Sequence, residues 1–259
     1  MIASEDALTR PTPIASAHLG SFTVMKNRVA GLAGFAAACA WCAPGLAPHA
    51  PPLARALGIS RRLPHLRGVA LTFDDGPDPR TTPIVLAALA RADATATFFL
   101  VGEQVERFGE LVTEIVAAGH EVGLHGYRHL PTLLRTPRAL NADLDRAEAV
   151  IAEAAGRKPI FYRAPFGVFS PAALIAARRH GWTPLLWSRW GREWEHGATA
   201  ENVARRATKS LAAGDVVLLH DASHYGLSGF ADTSVGALPA ILETLSGLGL
   251  ASVAVSRPE

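Results

Sequence analysis

Short apolar runs rich in β-branched and aromatic residues recur from residue 68 onward, at 68–73, 95–101, 121–124, 159–162, 183–188, 215–219 and 251–255. Runs of this length and composition read as buried strands. The stretches between them carry helical periodicity, at 82–91, 103–118, 136–155, 170–179, 199–212 and 234–246. Thr136-Pro137 and Ser170-Pro171 supply a capping hydroxyl followed by proline at the first helical position, and Gly156 and Gly181 follow the helices so opened. Strand and helix alternating in this way call for a parallel sheet. Their regular spacing predicts an α/β fold of the distorted (β/α)7-8 barrel type, with the loops that follow the strands gathered at one end.

The chain before residue 68 has a different texture. Lys26 and Arg28 precede an apolar stretch from Val29 to Ala43, about fifteen residues where a membrane span needs about twenty. Residues 1–43 are therefore expected to be an N-terminal extension carrying a signal-like or anchoring segment, with Met25 the start that gives it ordinary signal layout. The protein is expected to be secreted, or membrane-anchored and facing the cell envelope. Cys39 and Cys42 have redox-pair spacing without the strand-then-helix context of such a motif. Residues 44–67, with five prolines, read as a linker whose stretch 53–59 either packs as a short helix or lies on a membrane; 68–259 form the main domain. A net charge of +2, with scattered arginines and no basic run, argues against a nucleic-acid partner.

Polar residues fall where the strands end. Asp74-Asp75 follow the first, His125-x-x-x-His129 the third, Arg163 the fourth, Arg189 to Trp194 the fifth and His220-Asp221 the sixth. Two adjacent carboxylates at a buried strand end repel and lose solvation, so one must be neutralised by a cation or by a proton. Two histidines four apart point the same way within one helical turn, and with one carboxylate they make a donor set that leaves metal positions open.

These motifs resemble the polysaccharide deacetylases of carbohydrate esterase family four, which include peptidoglycan, chitin and nodulation-factor N-deacetylases. The resemblance spans about residues 68–256. It is carried by Thr72-Phe73-Asp74-Asp75-Gly76-Pro77, His125-x-x-x-His129, Arg163-x-Pro165-Phe166-Gly167, an altered motif ending in Glu193-Trp194, and Leu218-Leu219-His220. It implies that Asp75, His125 and His129 bind a divalent metal, zinc first, with cobalt, nickel, manganese or iron as alternatives. It further implies that Asp74 is the general base, that Arg163 keeps it ionised, and that His220 is the acid that protonates the leaving amine. The Phe166 N–H would polarise the carbonyl, while Leu218 and Trp194 would receive the acetyl methyl group. The implied substrate is an N-acetylated glycan.

Three positions depart from the family pattern. Where members carry Trp-Ser-x-Asp-x-x-Asp-Trp, this chain has Trp187-Ser188-Arg189-Trp190-Gly191-Arg192-Glu193-Trp194. Glu193 is expected to keep the contact to His220 through its longer side chain, and Trp190 to make the groove rim apolar, which opens the alternative of a lipid-linked or small amide substrate. Gly126 stands where a serine or threonine hydroxyl usually pins the loop, so that loop should be looser or held by another residue such as Tyr127. A carbohydrate-binding pseudoenzyme is the non-catalytic alternative, and the retained Asp74, Asp75, His125, His129, Arg163 and His220 argue against it. His18, His49, His65, His120, His180 and His196 are expected to be structural or solvated, and the resemblance implies no role for His224.

Overall fold

In the computed structural model, which describes residues 38–226 and 229–256, seven parallel strands form one curled sheet surrounded by helices. The strands are β1 (Ala70–Asp74), β2 (Ala96–Leu100), β3 (Glu121–Leu124), β4 (Phe161–Tyr162), β5 (Thr183–Pro184), β6 (Arg189–Trp190) and β7 (Val216–His220). Their order across the sheet is β5-β4-β3-β2-β1-β7-β6, with β1 at the centre. Every residue of β1 and β2 is buried, because one face of the sheet meets helices and the other the barrel interior. Phe73 and Phe98 stack there with ring centroids 5.1 Å apart.

The edge strands β5 and β6 do not pair with each other. Residues 60–63 link the β5 end to the start of β7: Ser60 N donates to Pro184 O at 2.9 Å, Leu186 N to Ser60 O at 2.8 Å and Leu63 N to Gly214 O at 2.8 Å. Ile59, Leu63 and Leu66 are buried in the main core, and Pro51–Ala56 form a short helix. The proline-rich segment is thus packed within the compact unit Trp41–Glu259. The proposed start at Met25, and most of the apolar stretch that follows it, lie outside the described residues. Cys39 and Cys42 are free and exposed. No helix among the described residues is long and apolar enough to cross a membrane.

The expected strand at 251–255 is reduced to a single bridge, Val69 to Ser252. Both sides of β1 are already taken by β2 and β7, so this segment pairs only below the ladder, where Val253 N donates to Val69 O and Thr95 N to Ser252 O. The run 183–188 breaks after Pro184, and the chain re-enters the sheet as β6 against β7. The helices stand close to expectation. Thr136 and Ser170 hydroxyls accept from the N–H groups of Ala139 and Ala173, and Gly156 and Gly181 end those helices in the left-handed conformation. The helix expected at 199–212 is shorter, Ala200–Ala207, and the last begins earlier, at Phe230.

Candidate metal centre and active site

β1 ends on Asp74, and Asp75 turns the chain with φ 78°, a left-handed conformation that aspartate tolerates better than most side chains. The next residue must be glycine: a Cβ at Gly76 would fall well inside van der Waals contact with the Asp221 carboxylate. Asp221 is fully buried, accepts from Thr82 Oγ1, and is pushed up by burial to about 7. On the third strand end, His125 N continues the ladder to Leu100 O at 2.9 Å, and Gly126 has φ 92°. Gly102 N and Glu103 N, at the start of the helix Gly102–Ala117, donate to the carbonyls of Gly126 and Tyr127, each at 2.9 Å. Tyr127 N donates to buried Asp143 at 2.9 Å and its hydroxyl to Glu106 at 2.8 Å, so the loop is pinned although residue 126 has no hydroxyl.

Asp75, His125 and His129 offer donor atoms that all lie within 4.8 Å of one another. Asp75 Oδ1 is 3.5 Å from His125 Nε2 and 3.2 Å from His129 Nε2. Burial would raise the Asp75 carboxyl, but its polar contact with His125 and the charge of His220 outweigh that and hold it at about 2. Burial lowers His129 to about 4, so its imidazole is neutral at neutral pH. An ionised carboxylate and a neutral imidazole are the forms that bind metal. Asp75 Oδ1 is buried with no hydrogen-bond partner among the described residues, a penalty that a cation in this position removes. The residues fit a divalent ion. His125 Nδ1 sits 2.8 Å from the Arg163 carbonyl oxygen, which fixes Nδ1 as the N–H and turns the Nε2 lone pair to the cluster.

Asp74 is separated from this set by its own partner. Its Oδ1 accepts from Arg163 at 2.6 Å, while Oδ2 stands 3.8 Å from His125 Nε2. Arg163 is fully buried and also donates to Thr72 Oγ1 and to the carbonyls of Leu185 and Leu186. His220 Nδ1 meets Glu193 Oε1 at 2.8 Å, and Glu193 is 2% exposed. Burial lowers His220, but the hydrogen bond and charge of Glu193 outweigh it and raise the imidazole to about 9. It is a cation at neutral pH, with Nε2 left as a donor.

All of these groups surround one cavity of about 590 Å³. Asp74, Asp75, His125, His129, Phe166, Trp194, Leu218 and His220 line it, whereas Arg163 and Glu193 stand behind Asp74 and His220. Phe166 sits at φ 60° and is 52% exposed at the lip. Trp190 lines the same cavity, 5.5 Å from Trp187 and 6.1 Å from Trp194 between ring centroids. Sequence reasoning missed Tyr225, Phe230 and Pro48, and His49, expected to be structural or solvated, also lines the cavity, 5.9 Å from Trp190. The signal for Pro48 and His49 was masked by the linker-like prolines around them. His120 is buried, and His180 and His224 pair with Asp145 and Asp78.

A parallel α/β barrel with a His-His-Asp donor set and a second carboxylate at its strand ends defines a metal-dependent hydrolase. The chain matches the polysaccharide deacetylase family model over residues 64–185. It is 35% identical over 192 residues to a peptidoglycan-N-acetylglucosamine deacetylase of Bacillus cereus, spanning 73% of this chain and 86% of that protein. It is also 35% identical over 157 residues to a chitooligosaccharide deacetylase of a Bradyrhizobium species, spanning 60% of this chain and 71% of the other. Among solved structures it is similar to a family 4 carbohydrate esterase from Streptomyces lividans in complex with acetate, with TM-score 0.65, 29% identity, and coverage of 72% of this chain and 92% of that one. The chain belongs to the polysaccharide deacetylase family and is a metal-dependent amide hydrolase.

Proposed function

We propose that the enzyme removes the acetyl group from an N-acetylated amino sugar in a cell-envelope polysaccharide or glycoconjugate. The observation that carries this is the division of the aspartate pair: Asp75 joins the two histidines, while Asp74 is held by Arg163 on the strand next to that of a protonated His220. A divalent ion in the donor set supplies Lewis-acid activation of water and of the amide carbonyl. Two imidazoles and one carboxylate suit zinc, which we infer, with cobalt, nickel, manganese or iron able to take the same donors.

The chain's own residues then move the protons. Asp74, fixed at Oδ1 by Arg163, accepts at Oδ2 the proton lost by the attacking water. The Phe166 N–H donates to the carbonyl oxygen as negative charge develops there. His220, oriented by Glu193, gives a proton to the departing nitrogen, because an amine cannot leave as an anion. Leu218 and Trp194 enclose the methyl group, and acetate and a free amino sugar are released. Lys26, Arg28 and the apolar stretch after them support action outside the cytoplasm, secreted or anchored at the N-terminus.

The test is acetate release from a panel of N-acetylated glycans, including chitin oligomers and peptidoglycan fragments, with chelator and with metal restored. No release from any of them by metal-loaded protein would sink the proposal. The aromatic wall of Trp187, Trp190 and Trp194 favours a second reading, a lipid-linked amino sugar. Preference for soluble oligosaccharides over a lipid-linked acceptor in the same assay would rule it out.

A further inference from the structure

The two imidazoles of the donor set are held in place by different means. His125 is oriented from behind through Nδ1 and the Arg163 carbonyl, the common arrangement for a metal-binding histidine. His129 lacks that support: its Nδ1 is buried and has no hydrogen-bond partner among the described residues. Gly126 offers no hydroxyl to reach back to it.

Aromatic contacts hold this ring instead. Tyr225 lies against His129 with centroids 4.7 Å apart and planes 18° from parallel, and Phe166 meets it nearly edge-on at 4.4 Å and 62°. Tyr225 comes from the loop after β7 and is fixed in turn by its hydroxyl. That hydroxyl donates to Glu103 Oε1 at 2.6 Å and accepts from Gln104 Nε2 at 2.8 Å. Glu103 also holds the carbonyl of Tyr127 through its backbone N–H. One helix start therefore anchors both the backbone of the histidine loop and the side chain that covers His129.

We propose that Tyr225 is the positioning residue for His129: its anchored, stacked ring replaces the missing hydrogen bond at Nδ1 and sets the direction in which Nε2 meets the metal. This rests on the reading of Asp75, His125 and His129 as a divalent-metal site. Tyr225 acts through His129, and its half-buried loop position tolerates exchange without disturbing the core.

Two variants separate the parts of the device. Tyr225→Leu removes the stack, and Tyr225→Phe keeps the ring while losing both anchors. Metal-stripped parent and variants are titrated with cobalt(II) against a competing chelator, reading affinity and the visible absorption of the bound ion, and the metal-free proteins are unfolded by heat. Loss of an outer support of a ligating histidine costs roughly ten- to a hundredfold in metal affinity. Tyr225→Leu is expected to show that loss with an altered visible band, Tyr225→Phe to fall between it and the parent, and the metal-free Tm values to agree. Unchanged affinity and spectrum in Tyr225→Leu would overturn the role of Tyr225, as would a loss matched by a lower Tm of the metal-free protein. A parent that binds no cobalt would overturn the metal reading itself, so the two failures are distinct.

Discussion

Replacing Glu193 by glutamine keeps the size of the side chain and its ability to accept from His220 Nδ1, but removes the buried charge 2.8 Å away. His220 stands at about 9 against an ordinary 6.5 although burial pulls it down; the hydrogen bond and charge of Glu193 are the largest influences raising it, ahead of the charges of Asp75 and Asp74. The net rise corresponds to about 3 kcal/mol, at roughly 1.4 kcal/mol per tenfold change in proton affinity. Without that charge burial is opposed only by the more weakly acting Asp75 and Asp74, and His220 in Glu193→Gln should titrate well below its parent value. The alkaline limb of the kcat/KM profile for acetate release should therefore move to lower pH. Activity at pH 7 should fall with it and recover in part as the pH is lowered. The same link appears in stability. A group raised in the folded state contributes fully below its unfolded value near 6.5, and that contribution is lost as pH rises through about 9. Denaturant unfolding of the parent should weaken across that window, and the variant should show a smaller loss. NMR titration of labelled histidine gives the His220 value directly. An alkaline limb and a His220 titration that stay where the parent has them would refute the reasoning.

Asp74→Asn should leave metal affinity near that of the parent while lowering kcat by roughly a hundredfold to ten-thousandfold, the outcome expected of the proposed general base; chelator competition and steady-state kinetics separate the two. Arg163→Met should cost about 3–5 kcal/mol in denaturant unfolding, because it removes the directly bonded charge partner of buried Asp74. Gly76→Ala should destabilise by about 1–3 kcal/mol and weaken metal binding through Asp75, as the new methyl group displaces the Asp221 carboxylate; thermal unfolding and metal titration read the two effects.

The central strands and the ionisable residues at their ends were legible because buried parallel strands are continuous apolar runs, and chemistry collects where those runs stop. Asp74, Asp75, His125, His129 and His220 each sit within a few residues of such an end, and the fold brings them to one cavity. What escaped depends on contacts between distant segments. The run at 251–255 has strand composition, yet both flanks of β1 are filled, which only the assembled sheet decides. Pro48 and His49 look like spacer until the segment after them pairs with the β5 end and the start of β7. Tyr225 carries no motif at all: its contact with His129 links loops from β3 and β7 that are far apart in sequence. Glu193 and Trp190 were readable as departures, and the structure shows the glutamate reaching His220 and the tryptophan in the cavity wall.

The most direct test is a zinc titration of chelator-stripped protein, following acetate release from an N-acetylated oligosaccharide in the parent and in His129→Ala. Release should be absent from the stripped parent, return in proportion to zinc up to one ion per chain, and stay absent from the variant at the same zinc concentration. Full release from stripped parent, or equal release from His129→Ala, would contradict an amide hydrolase that works through Asp75, His125 and His129.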